Sequence, residues 1–224
     1  MNEINILGIK YSDIDITEAV ERTVRAIDAR EGGYILAPDS ALALDARRNR
    51  RLMAAVRSAR MILPGDKGVF YASNILGLPL HYKMSGADFA SALLARLGAD
   101  GKSVFLVGAR EKSVRRAAEG LIERFPGVKI AGTASGQFVD DVELIDEINA
   151  AAPELLLVCL PSPRQELWLY EAAESLDVGV TLALGAVLET RRKQSFFARL
   201  FNDPKQTLKI PRMILAALKK RIAG

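Results

Sequence analysis

The segment LLLVCLPSPRQELWLYEAAESL, residues 155–176, contains the pattern that decides the fold. Its first six residues, Leu155–Leu160, are all apolar, as is typical of a central strand that is buried on both faces. A proline-containing loop follows, and then a helical pattern runs over Arg164–Leu176. An apolar run followed by an amphipathic helix is typical of βαβ units. The segment therefore predicts one strand–loop–helix unit of an α/β protein with a mostly parallel sheet.

The same alternation runs through the first 190 residues. The predicted strands are Ile4–Gly8, Tyr34–Ala37, Met61–Leu63, Ser103–Val107, Val128–Gly132, Leu155–Leu160 and Val180–Leu184. The clearest predicted helices are Thr17–Ala29, Ala87–Leu97, Glu111–Phe125, Val142–Ala151 and Arg164–Leu176. Because no repeat or linker interrupts this part, we expect one Rossmann-like domain over residues 1–190, with helices on both faces of the sheet. Residues 191–224 are expected to form a basic helical appendage.

Several protein classes are disfavoured by simple features of the sequence. The first residues, MNEINILGIKYSDI, have no basic start and no small-residue cleavage site, so we expect no signal peptide. No apolar stretch approaches the roughly 20 residues that cross a bilayer. The single cysteine, Cys159, is expected to be a buried core residue, and its count excludes a disulfide framework or a cysteine zinc site. The single histidine, His81, lies away from any nucleophile motif.

Charge is distributed unevenly along the chain, whose net charge is +4. Residues 191–224 contain ten basic residues and one acid, Asp203, which gives a net charge of +9. The first 190 residues contain 21 basic and 26 acidic residues, a net charge of −5. This division indicates that the tail meets an anionic surface, either phospholipid or nucleic acid.

The tail also contains a helical apolar pattern. A basic amphipathic helix of this kind lies in the membrane interface, so we expect the tail to bind an anionic membrane surface. The alternative is a helix that packs on the domain with its charges in water. Nucleic acid is not expected as a partner, because aromatic residues for base stacking are few. The apolar positions of this helix are Ile210, Met213, Ile214, Ala217 and Leu218.

Five loops that follow strands carry the residues from which a site can be built. All five are expected at one edge of a parallel sheet, where helix N-termini offer N–H groups to phosphate. We expect Asp39 and Ser85 to cap the helices that follow them. No GxGxxG or GxxxxGK[ST] motif is present, so neither a dinucleotide site nor a P-loop is supported. The loops are Ala37–Ser40, Pro64–Gly68, Gly108–Arg110, Thr133–Phe138 and Pro161–Glu166.

Four short motifs occur in a fixed order. Pro161–Trp168 reads PSPRQELW and is similar to the pattern G-S-P-K-Q-E-x-W. Met84–Phe89 resembles V-T-G-x-D-L, Gly136–Phe138 resembles G-Y-F, and the spacing from Pro64 through Gly68 and Val69 follows P-D-G-x-G-V. These are motifs of the TagA/WecG/CpsF family, glycosyltransferase family 26, which the chain resembles from about residue 1 to about residue 185.

The resemblance implies an inverting, metal-independent and cofactor-free transfer of a sugar, N-acetylmannosamine-like or another hexose, from a UDP-sugar. The acceptor is a sugar linked to polyprenyl diphosphate, in cell-surface polysaccharide synthesis. A carboxylate must remove the proton of the acceptor hydroxyl, and the expected base is Asp66. Gln165 is expected to hold sugar hydroxyls through both ends of its amide. The expected substrate-binding residues are Asp39, Ser85, Gly108, Gly136, Gln137, Arg164 and Glu166.

The resemblance also implies where the protein works. We expect a cytoplasmic protein that is peripheral on the inner face of the cell membrane. Its expected partners are the UDP-sugar donor, the lipid-linked acceptor and an anionic membrane surface, and self-association into a homo-oligomer is a further expectation.

The sequence departs from the family pattern at three places. Gly65 and Asp66 stand in the reverse of the family's Asp-Gly order, and Ala37–Ser40 replaces T-P-N-P. After residue 185, the Gly-rich turn, the R-A-P-x-W segment and the E-W-x-x-R-L segment are not found. These departures leave two alternatives open. One is a catalytically impaired homologue that acts as a sugar-nucleotide-binding or scaffolding partner, and the other is an unrelated α/β enzyme.

Overall fold

A computed structural model of the chain describes residues 2–185. The predicted appendage and the predicted domain boundary at residues 190 and 191 lie outside the described residues. The strands are β1 (Glu3–Ile6), β2 (Ile9–Ser12), β3 (Tyr34–Leu36), β4 (Met61–Ile62), β5 (Ser103–Gly108), β6 (Lys129–Ala134), β7 (Leu155–Cys159) and β8 (Val180–Ala183). The helices are α1 (Ile16–Asp28), α2 (Ser40–Ala46), α3 (Arg50–Arg57), α4 (Lys67–Ile75), α5 (Gly86–Ala99), α6 (Glu111–Arg124), α7 (Asp141–Ala151) and α8 (Arg164–Ala172).

Six strands form one parallel sheet in the order β4-β3-β8-β7-β5-β6. The predicted central strand is β7, and all five of its residues are buried. Alternate side chains of a strand point to opposite faces of the sheet, and β7 serves both. Leu155 and Leu157 pack in the core beneath α1, α5 and α6, whereas Leu156 and Val158 pack in the core beneath α2, α3 and α8. The predicted α/β fold, with helices on both faces, is therefore confirmed.

Some elements differ from the prediction. The predicted strand Ile4–Gly8 is present as β1, but it pairs antiparallel with the unpredicted β2, outside the parallel sheet. A tight turn at Leu7 and Gly8, both with positive φ, reverses the chain between them. Helices α3 and α4 were not among the predicted elements. In α3 only Leu52, Ala55 and Val56 are buried, so its arginine-rich sequence hides a short apolar face.

Parallel pairing brings the carboxyl ends of all six strands, and the N-termini of the helices that follow them, to one edge of the sheet. The five loops predicted to share an edge therefore do so. Cys159 is fully buried and burial raises the pKa of its thiol to about 12, which confirms the prediction of a core residue. Among residues 2–185, no helix is both long and apolar enough to span a bilayer.

Candidate active site

A crevice is expected where neighbouring strands send their connections in opposite directions. After β5 the chain continues to β6 on one side, whereas after β7 it continues to β8 on the other side. The loops that follow β5 and β7 therefore diverge, and in an open α/β sheet such a switch point is where ligands bind.

Gly108 and Gly136 meet in this crevice, at the ends of β5 and β6. The Gly136 N–H donates to the Ala109 carbonyl at 2.9 Å. A Cβ on Gly136 would lie 3.0 Å from the Gly108 Cα, and a Cβ on Gly108 would lie 2.6 Å from the Cys159 carbonyl oxygen. Both glycines thus allow the backbones of three loops to touch. The structure brings these two predicted site residues together, although the Gly136 N–H is already used within the protein.

Arg164 holds the loop after β6 against the crevice. Its guanidinium donates to the Gly136 carbonyl at 2.9 Å and to the Phe138 carbonyl at 3.4 Å. It also lies 4.5 Å from the centroid of the Phe138 ring, which is a cation–π contact. Arg164 and the neighbouring Gln137 are exposed to solvent at this edge. The guanidinium therefore places a fixed positive charge at the mouth of the crevice.

The two helices that flank the crevice begin differently from the other described helices. In the part of the chain that the structure describes, α1 to α5 and α7 each have a side-chain oxygen that accepts from a first-turn N–H. No side-chain cap is present at Arg110, before α6, or at Pro163, before α8. Helix N-termini carry first-turn N–H donors and positive dipole ends, which favour phosphate. In α8 the Gln165 N–H already donates to the Pro161 carbonyl at 3.1 Å. This pair of uncapped helix ends faces the switch point.

Gln165 is buried and connects the loops that follow β7 and β8. Its Oε1 accepts from the Leu160 N–H at 3.3 Å and from the Gly185 N–H at 3.0 Å. Its Nε2 donates to the Glu166 Oε1 at 3.2 Å. Both ends of the amide are therefore engaged inside the protein, where they join the ends of β7 and β8. Its predicted contact with sugar hydroxyls stays a prediction.

Glu166 is a buried carboxyl beside Gln165. Its Oε2 has no hydrogen-bond partner among the described residues. Burial raises the pKa of the Glu166 carboxyl, and the nearby Asp39 carboxylate adds to the increase. A buried acid of this kind keeps its proton to higher pH than an exposed one.

Replacing Glu166 by Gln is expected to remove a pH-dependent loss of stability. The ordinary pKa of a glutamate is 4.5 and the folded pKa lies above it, so the folded state resists ionisation of the carboxyl. The free energy of unfolding of the wild type should therefore fall as pH rises from the ordinary value through the folded one. The amide side chain of the variant stays neutral, so the free energy of unfolding of the variant should increase relative to that of the wild type as the pH rises. Urea denaturation at a series of pH values measures this, and equal pH profiles would contradict it. Glu119→Gln, at an exposed position on α6, should follow the wild type.

Asp66 and Asp39 lie in adjoining loops, which follow β4 and β3 respectively. Asp66 is buried and caps α4 by accepting from the Val69 N–H at 3.0 Å. Its Oδ2 accepts from the Ser40 N–H at 3.2 Å, and the Ser40 hydroxyl lies 2.8 Å from both carboxylate oxygens. Asp39 is half-buried and caps α2, as predicted, with its Oδ1 accepting from Ala41 and Leu42. Asp66 therefore ties two loops together, and its predicted role as base stays a prediction.

A cavity of about 350 Å³ lies beside Asp39, between α2 and the loop after β7. Its volume is within the range of small-molecule sites. Carboxylate, amide and hydroxyl groups line one part of it, and such groups bind sugar hydroxyls by hydrogen bonds. The lining residues are Asp39, Ala41, Leu42, Asp45, Asn49, Leu52, Ser162 and Pro163.

The loops after β3 and β4 pack backbone against backbone at Gly65. A Cβ on Gly65 would lie 2.3 Å from the Ala37 carbonyl oxygen and 2.6 Å from the Asp39 amide nitrogen. The Gly65 N–H donates to the Pro38 carbonyl at 3.2 Å. A residue with a side chain therefore does not fit at position 65 without separating the two loops.

Ser85 begins α5 at the same edge. It caps the helix in a capping box with Asp88, so the predicted cap is confirmed. Its hydroxyl lies 2.6 Å from the Asp88 Oδ2. A Cβ on the next residue, Gly86, would lie 2.6 Å from the Ala37 Cβ, which shows how close α5 comes to the loop after β3. The predicted contact between Ser85 and substrate stays a prediction.

Some contacts and residues of the site were not identified from the sequence. Ser40 binds Asp66 across 26 residues of sequence, which local patterns do not reveal. The buried hydroxyl of Tyr11 has no partner among the described residues. Burial, and then the charges of Asp66 and Asp39, raise the pKa of this hydroxyl, so it stays protonated beside them. Asp45 and Asn49 line the cavity but lie in a stretch that no motif marked. Among the described residues, no three metal-binding side chains lie close enough to hold an ion.

Comparison with known proteins identifies the family of the chain. The model of the glycosyl transferase WecG/TagA/CpsF family matches residues 4–192. The chain belongs to the WecG/TagA/CpsF family. The resemblance inferred from the four motifs is therefore confirmed.

Curated relatives in this family cover most of the chain at modest identity. A protein of Bacillus spizizenii is 28% identical over 233 residues, which cover 96% of this chain and 91% of the relative. A protein of Bacillus subtilis is 25% identical, covering 98% and 93%, and one of Staphylococcus aureus is 23% identical, covering 84% and 74%. All three are named N-acetylglucosaminyldiphosphoundecaprenol N-acetyl-beta-D-mannosaminyltransferase. The chain is therefore similar to glycosyltransferases whose named acceptor is a sugar linked to a polyprenyl diphosphate.

Proposed function

We propose that this protein transfers a hexose, N-acetylmannosamine-like or another, from a UDP-sugar to a sugar linked to polyprenyl diphosphate. The names of the relatives support the acceptor class and the transferase activity. The observation that carries the UDP donor is the pair of uncapped helix ends, α6 and α8, which face the switch point beside Arg164. Helix N-termini and a fixed guanidinium stabilise a diphosphate, both when it binds and when it leaves with its charge.

The acceptor sugar is assigned to the cavity beside Asp39. General-base catalysis requires a carboxylate within hydrogen-bond reach of the attacking hydroxyl. Asp39 lines the cavity, whereas Asp66 is buried and bonded to Ser40 and is not among the lining residues. We therefore assign proton removal to Asp39 and the positioning of its loop to Asp66. The original expectation, with Asp66 as the base, is the competing assignment.

The proposed reaction is an inverting displacement. Asp39 takes the hydroxyl proton while the acceptor oxygen attacks the anomeric carbon from the face opposite UDP. The bond between the sugar and UDP breaks, and its electron pair leaves with the diphosphate beside Arg164. This scheme uses neither a metal nor a cofactor. In it the protein works on the inner face of the membrane, where the basic tail and self-association are further parts of the proposal.

The test of this function is calorimetric titration with UDP and UDP-sugars, combined with a transfer assay on a lipid-linked acceptor. The wild type should bind UDP and turn over. Arg164→Ala should weaken UDP binding by about tenfold or more, because a hydrogen bond to a charged group contributes about 1.5–3 kcal/mol. Arg22→Ala, which removes an arginine paired with Glu18 on α1, is the matched control.

Each outcome of the titration distinguishes between the transferase and its alternatives. Binding without turnover on any lipid-linked sugar would support the impaired, sugar-nucleotide-binding homologue. Absence of UDP binding would contradict both that reading and the transferase. Equal UDP affinity of Arg164→Ala and Arg22→Ala would remove Arg164 from the diphosphate site.

A further inference from the structure

Helix α4 and the loop after it carry three exposed apolar side chains. Tyr71, Leu78 and Tyr82 are 46%, 44% and 46% exposed. Lys67 and Lys83 are also exposed, at the two ends of the same segment. We define these five residues as the α4 face. Single exposed apolar residues are common on proteins, but three within twelve residues of sequence form a feature that needs a cause.

The backbone that carries the α4 face is held in place. The Leu78 N–H donates to the Ser73 carbonyl at 3.0 Å, and the Leu80 N–H donates to the Ser73 hydroxyl at 3.1 Å. Buried Asp13 accepts from the Tyr82 N–H at 3.3 Å. Leu80 is itself buried and fixes the loop to the core. Because the backbone is held in this way, the side chains of Leu78 and Tyr82 stay exposed to solvent.

The charge of this segment is opposite to that of the rest of the domain. Residues 67–83 contain two lysines and no acid, whereas the first 190 residues together have a net charge of −5. His81 lies in the same stretch, and its Nδ1 is 2.6 Å from the Asp13 carboxylate. The α4 face is thus apolar and basic, which favours an anionic, partly apolar partner.

The position of the face relative to the site identifies such a partner. Helix α4 begins directly after Asp66, and Tyr82 lies three residues before Ser85, so both ends of the segment lie at the site edge of the sheet. This step rests on the proposed function, in which the acceptor is anchored in a membrane by its polyprenyl chain. A site that receives such an acceptor must have a neighbouring surface that meets the bilayer.

We propose that the α4 face docks on the surface of an anionic phospholipid bilayer. Tyrosine suits this place because its ring is apolar and its hydroxyl stays in water, and lysines at the boundary reach the headgroups. Leu78 enters the boundary between headgroups and acyl chains. This contact is separate from the basic tail and orients the mouth of the site toward its lipid-linked substrate.

The test places a fluorescent reporter in the α4 face of the full-length chain. Leu78→Cys is labelled with an environment-sensitive dye. Labelling is selective because the native Cys159 is fully buried and unreactive. The matched control is Ile122→Cys, a residue on α6 that is 49% exposed. With vesicles of phosphatidylcholine and phosphatidylglycerol, the label at position 78 should shift to the blue and brighten, whereas the label at 122 should not.

A second variant tests the charge. Lys67→Glu/Lys83→Glu in the labelled chain should reduce the partitioning of position 78 into anionic vesicles by about tenfold or more. Lys112→Glu/Arg116→Glu, at exposed positions on α6, is the control for general charge.

Two results would overturn the proposal. If the chain sediments with vesicles but the label at 78 does not shift, the membrane contact is made elsewhere. If the label shifts without vesicles, and more so at higher protein concentration, the face binds a second copy of the chain. Neither readout depends on turnover, so UDP titration of the same labelled protein reports separately on the proposed function.

Discussion

Asp39→Asn is expected to lower kcat for sugar transfer by about 10²–10⁴-fold, the range typical for loss of a general base. Asparagine caps a helix about as well as aspartate, and its Oδ1 can still accept from Ala41 and Leu42 as Asp39 does. The fold and the thermal midpoint should therefore change little. Steady-state kinetics and a thermal melt of the same sample measure both quantities.

The variant Asp66→Asn shows whether Asp39 or Asp66 is the general base. An amide at position 66 would direct its NH₂ group at the Ser40 N–H, which donates to Asp66 at 3.2 Å. Losing a buried acceptor costs about 1–3 kcal/mol of stability. We therefore expect a lower thermal midpoint and a smaller loss of kcat than for Asp39→Asn. If Asp66→Asn instead abolishes transfer with an unchanged melt, while Asp39→Asn stays active, the base is Asp66.

Gly65→Ala is expected to cost about 3 kcal/mol of folding free energy, at the upper end for overpacking. The added methyl would lie 2.3–2.6 Å from backbone atoms of Ala37, Pro38 and Asp39, and backbone does not yield as a flexible side chain does. Because the loop that carries Asp39 must move, transfer should fall as well. Urea denaturation measures the stability, and a loss below 1 kcal/mol would show that the loops separate easily.

The matched control is Gly77→Ala. Gly77 has a φ of +71° and no atom within 4 Å of its added Cβ, so only backbone strain of about 1–2 kcal/mol is expected. The double change Gly65→Asp/Asp66→Gly restores the residue order of the family motif and should be at least as destabilising as Gly65→Ala. The reversed Gly-Asp order is thus matched to the close packing of this chain's own loops.

Much of the fold follows from local patterns. The run Leu155–Leu160 predicts a central strand because each residue is apolar, and the structure buries all of β7. Asp39 and Ser85 were identified as caps because a short polar side chain stood before a helical pattern. Helices α3 and α4 were not predicted because each is short, with eight and nine residues, so only a few buried positions recur along it.

The candidate site was harder to predict because its contacts join distant parts of the chain. Sequence order correctly placed Gly108, Gly136 and Arg164 at one edge, since parallel strands align their ends. Sequence order did not show that the amide of Gln165 accepts hydrogen bonds from Leu160 and Gly185. It also did not show that the carboxylate of Asp66 accepts a hydrogen bond from Ser40. Residue type states what a side chain is able to bind, but only the fold shows which partners it already has.

The pair of uncapped helix ends has a consequence for turnover. Both ends follow interior strands of the sheet, β5 and β7, so under the proposed function we expect them to keep binding the diphosphate after the sugar leaves. We therefore expect accumulated UDP to slow transfer, and inorganic phosphate or sulfate in the buffer to compete for the same N–H groups. Hydrolysis of UDP by another enzyme would then keep the reaction moving forward.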